Sequence, residues 1–273
     1  MLSINSNPLA AVVARSVNDL SSKIQDTGLK LATGKRILSA KDDPSGVGIL
    51  STLKTQNTSY SSVQKNLTSG QSLLDVASSS LSSQQDILRQ MKELATQASS
   101  DLLDTNQRAS LQESFSKLQA QLDETVNKAS LFGQNITGSS AAQVKIQSGI
   151  KAGDTLTINA VKSDAVTLKV DAATLDLTDS AKASAAMTAI DTATGTVANS
   201  EASLGAVSKR LEMMQKNTSN IMSNLEKSIS RIEDVDVAAE SSKLTLLQTQ
   251  QQVSVSLLST INQLPSLALS LLR

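Results

Sequence analysis

The sequence lacks several residue types on which enzymes and metal sites usually depend. Its 273 residues include no histidine, cysteine or tryptophan, and its aromatic residues are Tyr60, Phe115 and Phe132 alone. Histidine and cysteine supply the usual ligands of zinc, copper, haem and iron–sulfur clusters. They also supply the thiol nucleophile and the imidazole base of most hydrolytic sites. We therefore expect no catalytic residues, no metal site and no cofactor, and disulfide bonds are excluded.

Net charge and long apolar runs are missing as well. The 25 basic residues balance the 25 acidic ones, so no field of either sign favours nucleic acid or an anionic membrane. No apolar run approaches the roughly 20 residues that span a bilayer. The first residues, MLSINSNPLAAVVARSV, have no basic segment ahead of their apolar stretch, so no standard secretory signal is predicted. Because aromatic bulk normally fills compact cores, the composition predicts an elongated helical protein.

The strongest positive signal is a heptad repeat of apolar residues. From Ile49 to Ala98 such residues recur at alternating spacings of four and three, without proline. This spacing predicts a coiled-coil seam on one helix of roughly 75 Å. Similar seams run from Leu111 to Ala129 and from Leu204 to Val235, and Asp104 or Thr105 is expected to cap the second.

The middle of the chain has a different period. Between Val144 and Val170, apolar residues alternate with polar ones, and Lys151–Asp154 and Lys162–Asp164 interrupt the alternation as turn sequences. Alternation with intervening turns predicts short antiparallel strands, the last of them over Val166–Val170. Helical spacing returns near Ala186.

Both ends of the chain carry apolar stripes at helical spacing. Neither end contains enough sequence to bury its own stripe, so we expect each to be poorly ordered in water or to bind partners. An interaction protein is therefore favoured over an enzyme. The first stripe comprises Leu9, Val13, Val17, Leu20, Ile24 and Leu31, and the second comprises Leu244, Leu247, Val253, Leu257, Leu258, Ile261 and Leu264.

A dense group of signals follows the first stripe, in the sequence LSAKDDPSGVGIL from Leu38 to Leu50. Its paired carboxylates fit three interpretations: a metal site, a general acid/base pair or a helix start. A metal site needs further oxygen ligands at nearby spacing, and acid/base chemistry is disfavoured by the missing histidine and cysteine. Asp43 as a cap, with Pro44 at the first helical position, is the favoured interpretation. The predicted joint between two helices comprises Lys41, Asp42, Asp43, Pro44 and Gly46.

The same region carries a family resemblance. Residues 31–46, LATGKRILSAKDDPSG, resemble the LSSGxRINSAKDDAAG signature of bacterial flagellins. Further matches follow in order and at the expected spacing, and together they make the resemblance highly specific. They are LRQMKELATQ at 88–97, SLFG at 130–133, LGAV and RLE within 204–212, SRIEDVD at 230–236, and NQLP and LLR within 262–273.

The resemblance implies a filament subunit with a mainly α fold. The expected architecture is a long antiparallel helical rod with coiled-coil seams, a small β-hairpin region, and terminal helices that form a coiled coil. The predicted division assigns residues 1–44 and 234–273 to the filament core, 45–138 and 184–233 to the rod, and 139–183 to the hairpin with a short variable region. No independent outer domain is expected, so the chain resembles a minimal flagellin.

The family also implies partners and a location. We expect self-assembly into a flagellar filament for swimming motility, outside the cell, after export without a cleaved signal peptide. The implied partners are further copies of the chain, an export chaperone, the filament cap, hook-junction proteins and other flagellins, but neither nucleic acid nor membrane. The predicted polymerisation core is Leu9, Val13, Val17, Leu20, Ile24, Leu31, Leu247, Val253, Leu257, Leu258, Ile261, Leu264, Leu271 and Leu272.

A further expectation concerns an innate immune receptor that recognises many flagellins on the rod. By resemblance, Gln90 and Lys92 stand where recognised members carry arginine, and Ser114 stands where they carry glutamate. Arg89 lies about 100° from Gln90 around a helix, and lysine does not reproduce a bidentate arginine contact. Weak or absent activation is expected from this degenerate face, which comprises Arg89, Gln90, Lys92, Glu93, Leu94, Glu113 and Ser114.

Other functions stay open at this point. A hook–filament junction protein shares flagellin-like ends, although the LLR terminus and the SRIEDVD motif favour a flagellin. A surface-exposed carbohydrate-binding or adhesive module would need a stacking platform of aromatic side chains, and three aromatic residues do not provide one. An enzyme is the least expected class, because no nucleophile–base pair can be assembled.

Overall fold

The computed structural model describes residues 8–271, with side-chain burial described as far as Gln263. The described chain is mainly α-helical with one two-stranded antiparallel sheet, which confirms the predicted fold class. The elements in chain order are α1 (Pro8–Thr33), α2 (Pro44–Ala98), α3 (Thr105–Lys128), β1 (Val144–Gln147), β2 (Thr155–Ile158), α4 (Ser180–Glu233) and α5 (Val237–Leu271).

The chain forms two compact units. The central unit comprises Asn57–Ser223. The terminal unit comprises the described residues up to Gln56 together with those from Asn224 onward. The division of the chain predicted at residues 44 and 234 stays a prediction about the domains of the family.

In the central unit, α2 and α3 are joined by a short, well-bonded loop. Asp104 caps α3, because its side chain accepts from the Gln107 N–H at 2.8 Å while the Gln107 side chain accepts from the Asp104 N–H at 3.1 Å. The Arg108 guanidinium donates back to the carbonyl oxygens of Ala98 and Ser100, at 3.1 and 2.6 Å. These bonds satisfy carbonyl groups at the end of α2. The expected cap at Asp104 is confirmed.

Within the same unit, α4 lies against α2 and runs in the opposite direction. Gln71 Nε2 donates to Ser208 Oγ at 2.8 Å, and Lys92 Nζ lies 2.5 Å from Asp191 Oδ1. The seam predicted on α2 is buried from Val63 to Ala98, and α4 faces it with small and apolar side chains. Those of α4 are Ala183, Ala186, Ile190, Ala193, Val197, Leu204 and Leu211. Buried alanines on both helices let their backbones approach, so the core closes with Phe115 as its one fully buried aromatic side chain among the described residues.

The β-hairpin also belongs to the central unit. Its register runs from Val144 opposite Ile158 to Gln147 opposite Thr155, which confirms the first two predicted strands. Gly153 in the connecting turn has a φ of +92°, a conformation that favours glycine. Ile146 and Ile158 are buried in the same core as the helices.

The third predicted strand, Val166–Val170, is wrong. The structure has a turn there, because the Asp164 carboxylate accepts from the Thr167 N–H at 3.2 Å and from its hydroxyl at 2.7 Å. Lys169 then adopts a left-handed φ of +58°. Val170 is buried while Val166 is exposed, so a side-chain-capped turn produces the alternation that the sequence shows.

In the terminal unit, α1 and α5 pack against each other. The first turns of α2 also belong to this unit. There the seam predicted to begin at Ile49 starts one residue later, since Ile49 is exposed and Leu50 is buried. The heptad spacing alone does not predict which of these two neighbouring residues is buried.

Candidate self-association surface and helix joint

The joint begins where α1 ends. Gly34 has a φ of +70°, which glycine adopts without strain and which ends helices. The chain then runs beside the end of α4, where the Arg36 N–H donates to Glu233 O at 2.6 Å and the Val235 N–H donates to Gly34 O at 3.0 Å. The Arg36 guanidinium also donates to Ile232 O at 2.7 Å. Backbone bonds therefore tie the segment after α1 to the segment after α4.

The Glu233 carboxylate lies between two ammonium groups. Its oxygens lie 2.7 Å from Lys35 Nζ and 2.6 Å from Lys54 Nζ, and its side chain is largely buried. Hydrogen bonds from Lys35 and then Lys54 hold the pKa of the Glu233 carboxyl below its ordinary value, and the same carboxylate raises the pKa of Lys35. Sequence reasoning missed this cluster, because its members come from three distant parts of the chain.

Asp42 fixes the turn that precedes α2. Its Oδ2 accepts from the N–H groups of Ser39 and Leu38, at 2.9 and 3.1 Å. These backbone bonds, that of Ser39 first, hold the pKa of Asp42 below its ordinary value. Lys30 Nζ lies 3.6 Å from the other carboxylate oxygen, whereas Lys41 is exposed. Asp42 is thus a turn-stabilising residue.

Asp43 and Pro44 start α2 as predicted. Asp43 Oδ1 accepts from the Gly46 N–H at 2.8 Å, and Pro44 is the first helical residue. A Cβ at Gly46 would lie 2.5 Å from Asp43 Oδ2 and 2.7 Å from Ile37 Cδ1, so a side chain at this position would displace Asp43 or Ile37. The paired acids form a helix start, and among residues 8–271 no group of His, Cys, Asp and Glu is placed to hold a metal ion.

The predicted polymerisation core divides into two faces. The inward face is the α1–α5 seam, in which Val13, Leu247 and Ile261 are buried. Gln251 Nε2 donates to Ser21 Oγ at 2.8 Å within the seam. Half-buried beside these are Val17, Leu20, Ile24, Leu31 and Leu258. The two end stripes therefore bury part of their surface against each other, as expected for terminal helices that form a coiled coil.

The outward face consists of apolar side chains that the seam does not cover. Val253 is 62% exposed, Leu257 is 49% exposed, and Leu9 and Leu246 are exposed as well. Leu246, Val253 and Leu257 fall within about 40° of one another around α5, at 100° per residue. The side chains of Leu264, Leu271 and Leu272, also predicted for this core, lie outside the described residues.

The residues of the candidate receptor face differ in exposure and in ion pairing. Gln90, Glu93 and Ser114 are exposed and Leu94 is half-buried. The remaining three members have ion-pair partners: Arg89 pairs with Asp86, Lys92 with Asp191 of α4, and Glu113 with Lys117 at 2.8 Å. Lys92 thus reaches toward α4, while Glu113 and Ser114 lie on α3. The assignment of these seven residues to a receptor face stays a prediction.

Two protein-family models match the helical parts of the chain. The family model described as "Bacterial flagellin N-terminal helical region" matches residues 4–138, and that described as "Bacterial flagellin C-terminal helical region" matches residues 187–272. The chain belongs to the bacterial flagellin family. In this flagellin the stretch between the two matches holds the β-hairpin and the Asp164 turn.

Two curated relatives and one solved structure illustrate the similarity. It is 33% identical to a flagellin of Listeria monocytogenes, over 89% of this chain and 90% of that one. It is 32% identical to flagellin FljK of Caulobacter vibrioides, over 99% and 98%. The crystal structure of Bacillus cereus flagellin matches with a TM-score of 0.52 and 28% identity, over 56% of this chain and 88% of that chain.

Proposed function

We propose that this flagellin is a structural subunit that polymerises through α1 and α5 into the extracellular bacterial flagellar filament. The family match supports the class of function. The observation that carries the role of these helices is the outward face of α5, where Leu246, Val253 and Leu257 are exposed in the single chain. Exposed apolar stripes of this kind mark protein–protein contacts.

The absence of charge along α5 after its first two turns strengthens this proposal. From Leu244 to Leu272 the sequence contains no Asp, Glu, Lys or Arg. Burying this part of the helix in an assembly therefore requires no desolvation of an ionised side chain, which is a large cost of burying a polar helix. By contrast, α1 carries Arg15, Asp19 and Lys23 on exposed positions. We infer that α5 lies deeper in the assembly than α1.

Seeded growth of full-length protein tests the proposal. Val253→Asp places a charge on the outward face, at a position exposed in the single chain, so the subunit should stay folded while filament growth stops. Leu20→Asp and Leu258→Asp, in the seam, should also block growth. Ser82→Asp, at an exposed position of the central unit, is the matched control and should elongate normally. Normal growth of the Val253→Asp variant would contradict the assigned face.

We propose further that a secretion chaperone covers α5 before assembly. The exposed Val253, Val255 and Leu257 would otherwise promote aggregation of the free subunit. Export without a cleaved signal peptide, followed by contact with cap and hook-junction proteins, belongs to the same proposal. None of the helices in the described part of the chain is long and apolar enough to cross a membrane. Intact-mass measurement of secreted protein should show the native N-terminus, and loss of a long N-terminal peptide would contradict this route.

The alternatives considered from the sequence are not favoured. A hook–filament junction protein and an adhesive module both predict a subunit that fails to elongate, so the seeded-growth assay separates them from a filament subunit. We also propose that the innate immune receptor engages the degenerate face weakly. The ion pairs of Arg89 with Asp86 and of Lys92 with Asp191 support this, since both cations already have partners.

A further inference from the structure

The loop between α2 and α3 holds one apolar side chain out in solvent. Leu102 is 95% exposed, the highest value among the exposed large apolar side chains. The loop is not loose, because Arg108 bonds the carbonyl oxygens of Ala98 and Ser100 on one side and the Asp104 cap closes the other. Leu102 is therefore presented at the end of the central unit as a fixed apolar knob.

The same unit contains an apolar groove elsewhere along α2. It has a volume of about 290 Å³ and lies between α2, the turn at Phe132 and strand β1, with Gly70, Leu73 and Ile146 among its lining residues. A Cβ on Gly70 would clash with Ile146 Cδ1. Glycine at this position therefore lets β1 approach α2 closely and shapes the groove.

One rim of the groove is an aromatic side chain held in an uncommon conformation. Phe132 has a φ of +53° and is 76% exposed. The turn is closed by two bonds of 2.9 Å between the backbones of Leu131 and Gln134. A left-handed backbone is unfavourable for a bulky residue, and the bonds of the turn hold Phe132 in it. In this conformation the residue lines the groove.

The knob and the groove are complementary in charge as well as in polarity. Asp101 precedes Leu102 in the loop, and Lys145 lines the groove. Both side chains are exposed, and neither has an ion pair within the described part of the chain. Twenty-eight residues of α2 separate Gly70 from Ala98, which is about 42 Å of helix. The knob therefore does not reach the groove of its own chain.

We propose that the Asp101–Leu102 knob of one subunit docks in the Gly70–Phe132 groove of a second copy, with Asp101 beside Lys145. The two surfaces differ and lie far apart on one unit, so the contact is heterologous and head-to-tail, which builds an open filament and not a closed dimer. This inference rests on the proposed filament function and adds a contact made by the central unit, separate from α1 and α5.

Disulfide trapping tests the contact directly, because the chain has no cysteine. In the double variant Leu102→Cys with Ser69→Cys, the two thiols are too far apart within one chain to bond. Oxidised filaments should then yield a ladder of covalent multimers on a denaturing gel. The pairing of Leu102→Cys with Ser82→Cys, a surface position outside the groove, should yield none. Double-variant filaments without a ladder would overturn the proposal.

Growth measurements keep the proposal falsifiable if the cysteine variants assemble poorly. Leu102→Ala should raise the critical concentration for elongation about tenfold, from the loss of one buried leucine. Asp101→Lys and Lys145→Asp should each slow growth, and their combination should restore it. If the wild-type protein elongates and Leu102→Ala leaves the critical concentration unchanged, this contact alone is overturned. Failure of the wild-type protein to elongate would instead contradict the proposed function.

Discussion

The core of the central unit and the α1–α5 pair of the terminal unit are both built from apolar stripes on helices, yet the residues of the two seams are buried to different extents. In the central unit, Leu67 and Leu88 are fully buried, because α3, α4 and the hairpin complete the cover over α2. In the α1–α5 pair, Val17, Leu20 and Ile24 stay half-exposed. Two helices alone cover only one stripe of each other. The comparison indicates a central unit that finishes its core within one chain and a terminal helix pair that finishes it by assembly.

Removal of both ends should have the largest effect on this comparison. Protein lacking residues 1–40 and 234–273 should remain a soluble helical monomer, since the core of the central unit is intact, and should lose filament formation completely. Circular dichroism and electron microscopy after seeding measure the two outcomes. Filaments grown from the trimmed protein would show that the ends are not required.

Substitution of Gly46 should weaken the terminal unit by a moderate amount. In Gly46→Ala the new methyl group would lie 2.5 Å from Asp43 Oδ2, so the cap of α2 must move, at about 1 kcal/mol of unfolding free energy. Gly48→Ala is the matched control, because its Cβ meets nothing within 4 Å. It should stabilise α2 slightly. Equal denaturation midpoints for the two variants would contradict the close contact at Gly46.

The Lys35–Glu233–Lys54 cluster should make the stability of the terminal unit depend on pH. The pKa of Glu233 is lowered in the folded protein, so its stabilisation is fully present above the ordinary value of 4.5 and is lost as pH falls through the folded value. The pKa of Lys35 is raised, so its share is present below 10.5 and is lost as pH rises through the folded value.

Melting curves across pH compare the wild-type protein with Glu233→Gln. The variant should lose both the acidic and the alkaline dependence that this cluster contributes. Glu226→Gln, at an exposed position on the same helix, should keep them. A Glu233→Gln profile parallel to that of the wild-type protein would show that the cluster contributes nothing.

The smallest expected effect concerns the candidate receptor face of the central unit. Gln90→Arg with Ser114→Glu restores two residues of the recognised pattern, so receptor activation by the trimmed monomer should rise partially from a weak baseline. Interface hot spots are few and favour arginine. The control Gln121→Arg adds an arginine at an exposed position of α3 outside this face and should leave activation unchanged. Wild-type potency equal to that of a strongly recognised flagellin, in a reporter-cell dose series, would end this hypothesis.

The sequence predicted the parts of this molecule that depend on local spacing. The α2 seam from Val63 onward, the Asp104 cap and the start of α2 at Pro44 follow from heptads and capping chemistry within a few residues. The prediction of a strand over Val166–Val170 is wrong, because apolar and polar residues alternate there in a turn that pairs with no strand. Glu233 was missed because its partners are remote in sequence. Tertiary contacts of this kind leave no local pattern.

The apolar stripe predicted on α5 does not distinguish the two faces of that helix. Leu247 and Val253 belong to the same predicted stripe, yet the structure buries the first in the seam and exposes the second. When a helix has apolar residues on two adjacent faces, the sequence contains both sets in one repeat. Only the position of α1 shows which residues of α5 face the seam and which stay exposed.

The hydrogen bond between Gln251 and Ser21 also bears on the order in which the chain folds. It joins residues 230 apart, whereas Ser80 and Thr125 are joined across 45. Loop closure across the longer segment costs about 1.4 kcal/mol more for a flexible chain. We therefore expect the α2–α3 pair to close before α1 meets α5, since folding of the intervening segments shortens the loop. On this order the surface proposed for polymerisation would form last, after the rest of the chain is in place.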